Sequence, residues 1–558
     1  MLDGKVDARI VAVIPAAGLG QRLMPISSAI PKAMVPIAGQ PLISLIVNHL
    51  ARQGVRRFVF VVGCHGEQLV SYLERTYGDS SLELRFAEQK ELDGPLGAVR
   101  LAQPLAGDGP QLVYLGDTLT RDELLFDRDF VLAHPVEDHW RWCLVKPDAS
   151  GCMEQLIDKP LEPNGADLAL IGVYFFSDGA LWRRCTEEVY GTGETLHGEF
   201  QLSSAIARYN ARRPIEVRRA REWFDCGSID RYVDTRRHLL QSRRLNNIWV
   251  DDLGILHKRS YGSDDLKHEI QWYLSVPESV RPLVPRVFDY SLSGESTHID
   301  LEYIPVPTLA EVYLYANVHP EVWEYAFNRI LGLWKRVFYS ARSSDEQGAA
   351  KAFSMYWEKT ELRLAEAADS VPFQDKRVSL NGRELPSWQE MASRVRAALE
   401  VIAQRPHWSL MHGDLHFGNI LFDFNSGQLK LVDPRGAFGG VSCYGDARYD
   451  LAKFLHSFHG GYAHLAAGMF ELSRDGPDGY ELRLYGGSDR DHLLTCFWRW
   501  LASTGIDPGE IMLIEGLLFL SLLPLHADDP DRQAAAYFTG LALVADAMER
   551  IGDVARVR

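Results

Sequence analysis

MHGDLHFGNILFDFNSGQLKLVDPRG, residues 411–436, places a short polar loop between the apolar runs WSLM and NILF and then adds a strand-like QLKLVD. His412, Gly413, Asp414 and Asn419 follow the spacing H-G-D-x-x-x-x-N, and Asp433 closes the strand-like run. An anionic group near an attacking hydroxyl, with hard oxygen ligands for a divalent cation, is what phosphoryl transfer from ATP requires. The flanking apolar runs predict strand–loop–strand packing around that loop.

Far upstream the chain carries a second phosphate-type turn. IVAVI (10–14) is a wholly apolar, β-like run, and PAAGLGQRLMPISSAIPK (15–32) follows it. Gly18 and Gly20 let the backbone turn sharply and bring its N–H groups close to a phosphate chain. Arg22 and Lys32 add positive charge, while Pro25 and Pro31 stiffen the loop. A bare G-x-G marks only a tight turn, but every position of G-x-G-x-R-[LM]-x-P-x-[ST]-x-x-x-P-K is met here. FVFVV (58–62) and LVYL (112–115) are further apolar runs, separated by helix-like stretches such as PLISLIVNHLARQG. Strands alternating with helices predict a parallel sheet with helices on both faces. Ligands of such sheets sit at the carboxyl ends of the strands, where the 15–20 turn and Asp117 fall.

The 15–32 stretch resembles the sugar-nucleotidyltransferase family, the pyrophosphorylases that join an NTP to a sugar phosphate. Leu115-Gly116-Asp117 resembles the family's strand-end L-G-D, which implies Asp117 as a Mg²⁺ ligand. Asp158-Lys159-Pro160 is similar to its E/D-K-P, implying that Lys159 contacts the sugar phosphate. Ile171 to Phe176 resembles its G-x-Y-x-F strand. Gly198-Glu199-Phe200-Gln201-Leu202 resembles its G-E-x-x-L segment, which implies Glu199 in the sugar pocket. Trp223 to Ser228 is similar to W-x-D-x-G-T, implying Asp225 as the second metal aspartate. Gln89 stands ahead of Gly94-Pro95-Leu96-Gly97, as a base-reading glutamine and a close-approach loop would, but at a longer spacing than the family pattern. The base (CTP, UTP, GTP or dTTP) therefore stays open. In this chemistry an acceptor phosphate attacks the α-phosphorus and pyrophosphate leaves. Positioning and charge neutralisation by Arg22, Lys32, Lys159 and the metal must supply the rate.

The 411–436 loop resembles that of the aminoglycoside phosphotransferase and choline kinase families. The resemblance implies Asp414 as base or orienter of the substrate hydroxyl, Asn419 and Asp433 as Mg²⁺ ligands, and His412 as a brace. It also implies Lys258, in GILHKRS, at the ATP phosphates, with Glu269 as its ion-pair partner. LEYIPVPTL (301–309) would be the adenine-binding hinge, and Asp450 in YGDARYDLAK would support the loop without reacting. A kinase Gly-rich loop is absent as a motif.

The pattern changes near residue 245. IWVDDLGILHKRS reads as a hairpin, and SDDLKHEIQWYL as a helix with Leu266, Ile270, Tyr273 and Leu274 on one face. VPRVFDYSLS and THIDLEYI read as a further β pair, followed by long helical stretches. The expected organisation is an α/β Rossmann-like nucleotidyltransferase domain (1–244) followed by an α+β protein-kinase-like domain (245–558). No Gly/Ser- or Pro-rich linker separates them, so packed halves are expected.

Bulk properties agree with a soluble enzyme. The 558 residues exceed one compact core. The net charge of −16 disfavours a nucleic-acid or anionic-membrane partner. Seven cysteines without a C-x-x-C pair form no disulfide or zinc framework, and a reducing cytoplasm suits them. The N-terminus lacks a signal-peptide layout. IMLIEGLLFLSLLPL is interrupted by Glu515 and broken by Pro524, which predicts a buried helix and not a membrane span. The expected function is bifunctional. ATP phosphorylates a hydroxyl of a small metabolite, most simply a sugar or polyol, and a second NTP then takes up that phosphate. The product would serve surface-polysaccharide or cell-wall metabolism. The alternatives are an amino-alcohol kinase joined to a cytidylyltransferase, a stand-alone kinase with an inactive first domain, and a non-catalytic nucleotide sensor. Small-molecule substrates are the expected partners, with a homo-oligomer left open.

Overall fold

The first apolar run forms β1 (Val11–Pro15), whose first four side chains are buried. The computed structural model describes residues 9–557 apart from 24–30, 38–39, 64–65, 79, 163–164, 197, 239–245, 252, 262–263, 293–296, 317, 372–373, 425, 477, 485–486 and 528. Pro25 thus lies outside the described residues. The chain divides into two units, Met1–Leu239 and Leu240–Arg558, slightly ahead of the boundary expected at residues 244 and 245.

In the first unit β1 is followed by α1 (Leu42–Arg52), β2 (Arg57–Val62), α2 (Gly66–Tyr77), β3 (Glu83–Glu88), α3 (Pro95–Ala106) and β4 (Gln111–Tyr114). Then come β5 (Phe130–Pro135), β6 (Cys143–Pro147), β7 (Met153–Asp158), β8 (Leu168–Phe176), α4 (Gly179–Thr192), α5 (Leu202–Asn210) and β9 (Glu216–Arg219). They build one sheet in the order β7-β6-β8-β4-β1-β2-β3, with β5 pairing β8 and β9. The strands β4, β1, β2 and β3 run parallel, whereas β8 is antiparallel to β4, β5 and β6. The sheet is therefore mixed, which corrects the parallel expectation. Parallel neighbours need a long crossover, whereas β6 and β7 are joined by residues 148–152 alone and pair antiparallel. Beyond β4 only β5 and β9 of this sheet pair parallel among the described residues.

Val11, Val13, Val59, Val61 and Val113 share a core with Leu96, Val99 and Ala102 of α3 and Trp182 of α4. Ala12, Ile14, Phe58 and Phe60 alternate with them along the strands and are equally buried, so both faces are covered. Strand order reverses between β1 and β4, which sets the loops leaving these strands side by side. The Gly116 N–H donates to the Pro15 carbonyl at 3.1 Å there.

The second unit opens with β10 (Asn246–Val250), β11 (Ile255–Ser260), α6 (Asp265–Ser275), β12 (Val287–Ser291) and β13 (Thr297–Glu302). The strands form an antiparallel sheet in the order β10-β11-β13-β12. Leu266, Ile270 and Tyr273 of α6 are buried as expected, but Leu274 is 39% exposed and Trp272 takes the inward position. The cause is polar: Trp272 Nε1 donates to the Met411 carbonyl at 2.8 Å and ties α6 to the H-G-D loop. Later elements include α7 (Lys359–Glu366), β14 (Trp408–Leu410), β15 (Ile420–Phe422), β16 (Leu429–Leu431), β17 (Tyr444–Asp446), α8 (Ala447–His456) and α9 (Pro508–Leu520). Glu515 on α9 is fully buried, and it pairs with His459 Nδ1 at 2.7 Å and accepts the Gly460 N–H at 3.0 Å. Among the described residues no helix is long and apolar enough to cross a membrane, and the described cysteines are free.

Candidate active sites

A cavity of about 690 Å³ opens at the carboxyl ends of β1 and β4. Gly18, Gly20, Arg22, Lys32, Gln89, Asp117 and Glu199 line it, together with Gly94 and Pro95 at the start of α3. Gly20 has φ of +63°, a backbone state that glycine enters without steric cost. A β-bridge pairs Asp225 with Thr118, and the Cys226 N–H donates to the Asp117 carbonyl at 2.8 Å. That ribbon brings the two aspartates together from positions far apart in the chain. A Cβ placed on Gly227 would stand 2.9 Å from Asp225 Oδ1, 3.5 Å from Asp117 Oδ2 and 3.6 Å from Arg22 Nη2. Glycine thus leaves a small space ringed by two carboxylates and a guanidinium.

The electrostatics of the pair are asymmetric. Burial would raise the Asp117 carboxyl, but Lys32, with Nζ 2.5 Å from Asp117 Oδ2, and Arg22 hold it below the ordinary carboxylate range. Burial and the Asp117 charge push Asp225 up to about 6. Two carboxylates facing one space, with one resisting ionisation, form a hard-oxygen donor set that suits a divalent cation.

Asp225 borders the cavity beside Gly227 without being part of its lining, and two further expected residues lie off the lining. Lys159 is exposed and is not part of the cavity lining. It has φ of +44° at the end of β7, an uncommon state for a non-glycine residue, and its N–H donates to the Trp142 carbonyl at 2.9 Å. Gly97 also lies off the lining. A Cβ there would overlap Asp93 Oδ1 and stand 2.6 Å from the Tyr190 hydroxyl. Asp93 accepts from Gln89 Nε2 at 2.9 Å and from the Tyr190 hydroxyl, and Gln89 also donates to the Gly94 carbonyl at 3.2 Å. Gly97 makes room for the groups that orient Gln89; it does not itself line the cavity.

In the second unit the H-G-D loop follows β14, and the β15–β16 hairpin returns beside it, where the Val432 N–H donates to the Asn419 carbonyl at 3.0 Å. Asp450 on α8 accepts the His412 N–H at 2.9 Å, the Gly413 N–H at 2.7 Å and Trp334 Nε1 at 3.3 Å. Burial raises its carboxyl to about 6, against these donors. Burial also drives His412 down to about 4, so its neutral ring accepts the Asp414 N–H on Nδ1 at 3.3 Å.

Asp414 receives Asn419 Nδ2 at 3.2 Å on Oδ2 and Lys453 Nζ at 2.9 Å on Oδ1. Burial opposes ionisation, but Lys453 and His416 overcome it and hold this carboxyl well below the usual range. Asn419 Nδ2 also donates to the Asp414 carbonyl at 2.9 Å, so the amide oxygen is the Asn419 atom suited to a metal. Lys258 Nζ lies 2.8 Å from Glu269 Oε1 and also contacts Asp433 Oδ1. Burial disfavours its charge, yet the two carboxylates raise its pKa. The motif reading missed Lys453, which follows Asp450 by three residues on α8 and so shares its helix face.

The nucleotidyl transferase family matches residues 11–242, and the phosphotransferase enzyme family matches residues 255–483. The chain is a fusion of these two enzyme families. The low-salt glycan biosynthesis nucleotidyltransferase of Haloferax volcanii is 28% identical over 203 residues, covering 35% of this chain and 55% of that protein. The UTP–glucose-1-phosphate uridylyltransferase of Staphylococcus epidermidis is 26% identical over 246 residues, covering 37% of this chain and 82% of that protein. A solved structure of UDP-glucose pyrophosphorylase from Acinetobacter baumannii aligns at 23% identity and a TM-score of 0.35, covering 41% of this chain and 92% of that one.

Proposed function

We propose that the phosphotransferase unit phosphorylates a hydroxyl of a small metabolite with ATP and that the nucleotidyltransferase unit then couples this phosphate to a second NTP. The products are an NDP-activated metabolite and pyrophosphate, and a sugar or polyol acceptor agrees with the relatives of the first unit. The observation carrying this reading is that one chain holds two polar sets: Asp117, Asp225, Lys32 and Arg22 around one space, and Asp414, Asn419, Lys258 and Asp433 around the other loop.

Mg²⁺ fits both sets. Asp117 and Asp225 would hold it in the first, and Asn419 and Asp433 in the second. There it would supply charge neutralisation at the phosphates. In the kinase step Asp414 orients the acceptor hydroxyl and receives its proton, and Lys453 keeps that carboxylate aligned. In the nucleotidyl step Arg22 and Lys32 place positive charge over the cavity, the glycine-rich turn offers backbone N–H groups, and Gln89 faces the base. Surface-polysaccharide or cell-wall metabolism is the natural consumer of such a product.

The deciding experiment is pyrophosphate release from the full chain with ATP, a second NTP and a panel of unphosphorylated acceptors. Release should require both nucleotides. Asp414→Ala should abolish it while sparing release from a pre-phosphorylated acceptor, and Asp117→Ala should abolish both while sparing ADP formation. ADP formation with no pyrophosphate from any NTP would refute the two-step reading.

A further inference from the structure

Beside Asp414 the second unit gathers more positive charge than phosphoryl transfer to a neutral alcohol requires. Arg435 follows Asp433 by two residues, and its N–H donates to the His412 carbonyl at 3.0 Å. A Cβ on Gly413 would stand 2.8 Å from Arg435 Cβ, so this side chain lies against the turn that presents Asp414. Arg435 Nη1 donates to the Tyr449 hydroxyl at 3.2 Å, and Lys359 Nζ, at the start of α7, donates to the same oxygen at 3.4 Å. Tyr449 is 1% exposed, while Lys359 and Arg435 are half-buried.

The charges here do not balance. The Asp414 carboxylate is engaged by Lys453. Among the described residues, Lys359 and Arg435 form no salt bridge; Asp414 and then Asp265 act on Arg435 through their fields. Burial first, and then Arg435 and Lys453, bring the Lys359 ammonium down to about 8. Lys359 first, and then Arg435 and Lys453, bring the Tyr449 phenol down to about 8 although burial opposes it. Two partly desolvated cations sharing one phenol oxygen are costly unless an anion joins them. A guanidinium fork beside an ammonium is suited to a carboxylate or a phosphate ester.

We infer that the acceptor phosphorylated at Asp414 carries its own anionic group, a carboxylate or a phosphate ester, held by Lys359 and Arg435 while its hydroxyl faces Asp414. This rests on the kinase reading of the H-G-D loop and narrows its substrate class. The acceptor oxygen forms the bond to the γ-phosphorus, the bond from that phosphorus to the β-bridging oxygen breaks, and its electron pair leaves with ADP. The hydroxyl proton passes to Asp414. A cationic amino alcohol would meet repulsion at the same place.

The test measures ADP release by the full chain on hexose, pentose and linear polyol skeletons, each supplied as neutral, carboxylated, phosphorylated and amino members, with choline added. The best acceptor should be a carboxylated or phosphorylated member, at least tenfold higher in kcat/KM than its neutral counterpart, and the two arms identify which anion is read. Lys359→Met should raise KM for that acceptor at least tenfold and leave KM for ATP within twofold, while Lys359→Arg should retain most activity. A neutral or amino member ranking first would overturn the inference and leave the kinase reading standing. An unchanged acceptor KM in Lys359→Met would also overturn it. If the variant fails to fold, the wild-type ranking decides. No ADP release above the acceptor-free rate on any member would overturn the kinase reading and this inference with it.

Discussion

Replacing Lys258 by methionine tests the central electrostatic feature of the second unit. Lys258 is 4% exposed and bridges Glu269 and Asp433. Methionine fills similar volume but leaves two carboxylates facing each other with no cation between them. Breaking a buried ion pair costs about 3–5 kcal/mol. The Asp433 side chain is 25% exposed, so water screens part of the loss and about 3 kcal/mol is expected. At roughly 2–4 °C per kcal/mol, the melting temperature of the second unit should fall by about 6–12 °C. Adding Glu269→Gln removes one of the stranded charges and should restore at least half of that loss. Activity should behave differently: ADP formation should stay lost in the double variant, because neutralising Glu269 does not replace the cation at the phosphates. Differential scanning calorimetry and a coupled ADP assay read the two effects separately. A Lys258→Met protein that melts within 2 °C of wild type by that scale would refute the buried-pair argument. Recovery of activity by Glu269→Gln would refute the phosphate-binding role.

Two further perturbations probe the loop and the nucleotide pocket. Asp450 titrates near pH 6 in the folded protein because burial raises it, against roughly 3.9 when unfolded. The unfolded chain loses this proton first, so between pH 4 and 6 the folded state binds the extra proton and the Asp450 contribution to stability falls as pH rises. The stability difference between wild type and Asp450→Asn should therefore shrink by roughly 2–3 kcal/mol from pH 4 to pH 7. Urea denaturation across that range measures it, and a difference that is flat or grows with pH contradicts the assignment. Gly97→Ala should displace the Asp93 carboxylate from Gln89 and raise KM for the NTP several-fold while ADP formation by the second unit is unchanged. An unaltered KM for every NTP would show that Gln89 is not held in place through Asp93.

Much of this arrangement was legible in the chain itself. Apolar runs of four to six residues bounded by Gly and Pro mark β1, β2 and β4, because a strand buried on both faces needs no polar alternation. The G-x-G turn and the H-G-D loop are local, so spacing along the chain nearly equals spacing in space. Leu274 was misplaced because its helical periodicity is right, but a single indole hydrogen bond to Met411 turned Trp272 inward instead. The antiparallel half of the sheet escaped the reading because strand direction depends on what each connection packs against.

Sequence alone therefore determined the two families and their order, and it singled out Asp117, Asp225, Asp414 and Asp433 as the carboxylates to which the proposed mechanism assigns metal binding and proton transfer. Only the tertiary structure decided which other charges surround them. Lys453 reaches Asp414 from α8, Lys359 arrives from α7, and Arg435 is pressed against Gly413. None of these contacts has a motif, because a lysine on a helix is identical in sequence whether it faces water or a buried phenol. Electrostatic energy depends on distance and burial, and both quantities exist only once distant segments have packed together.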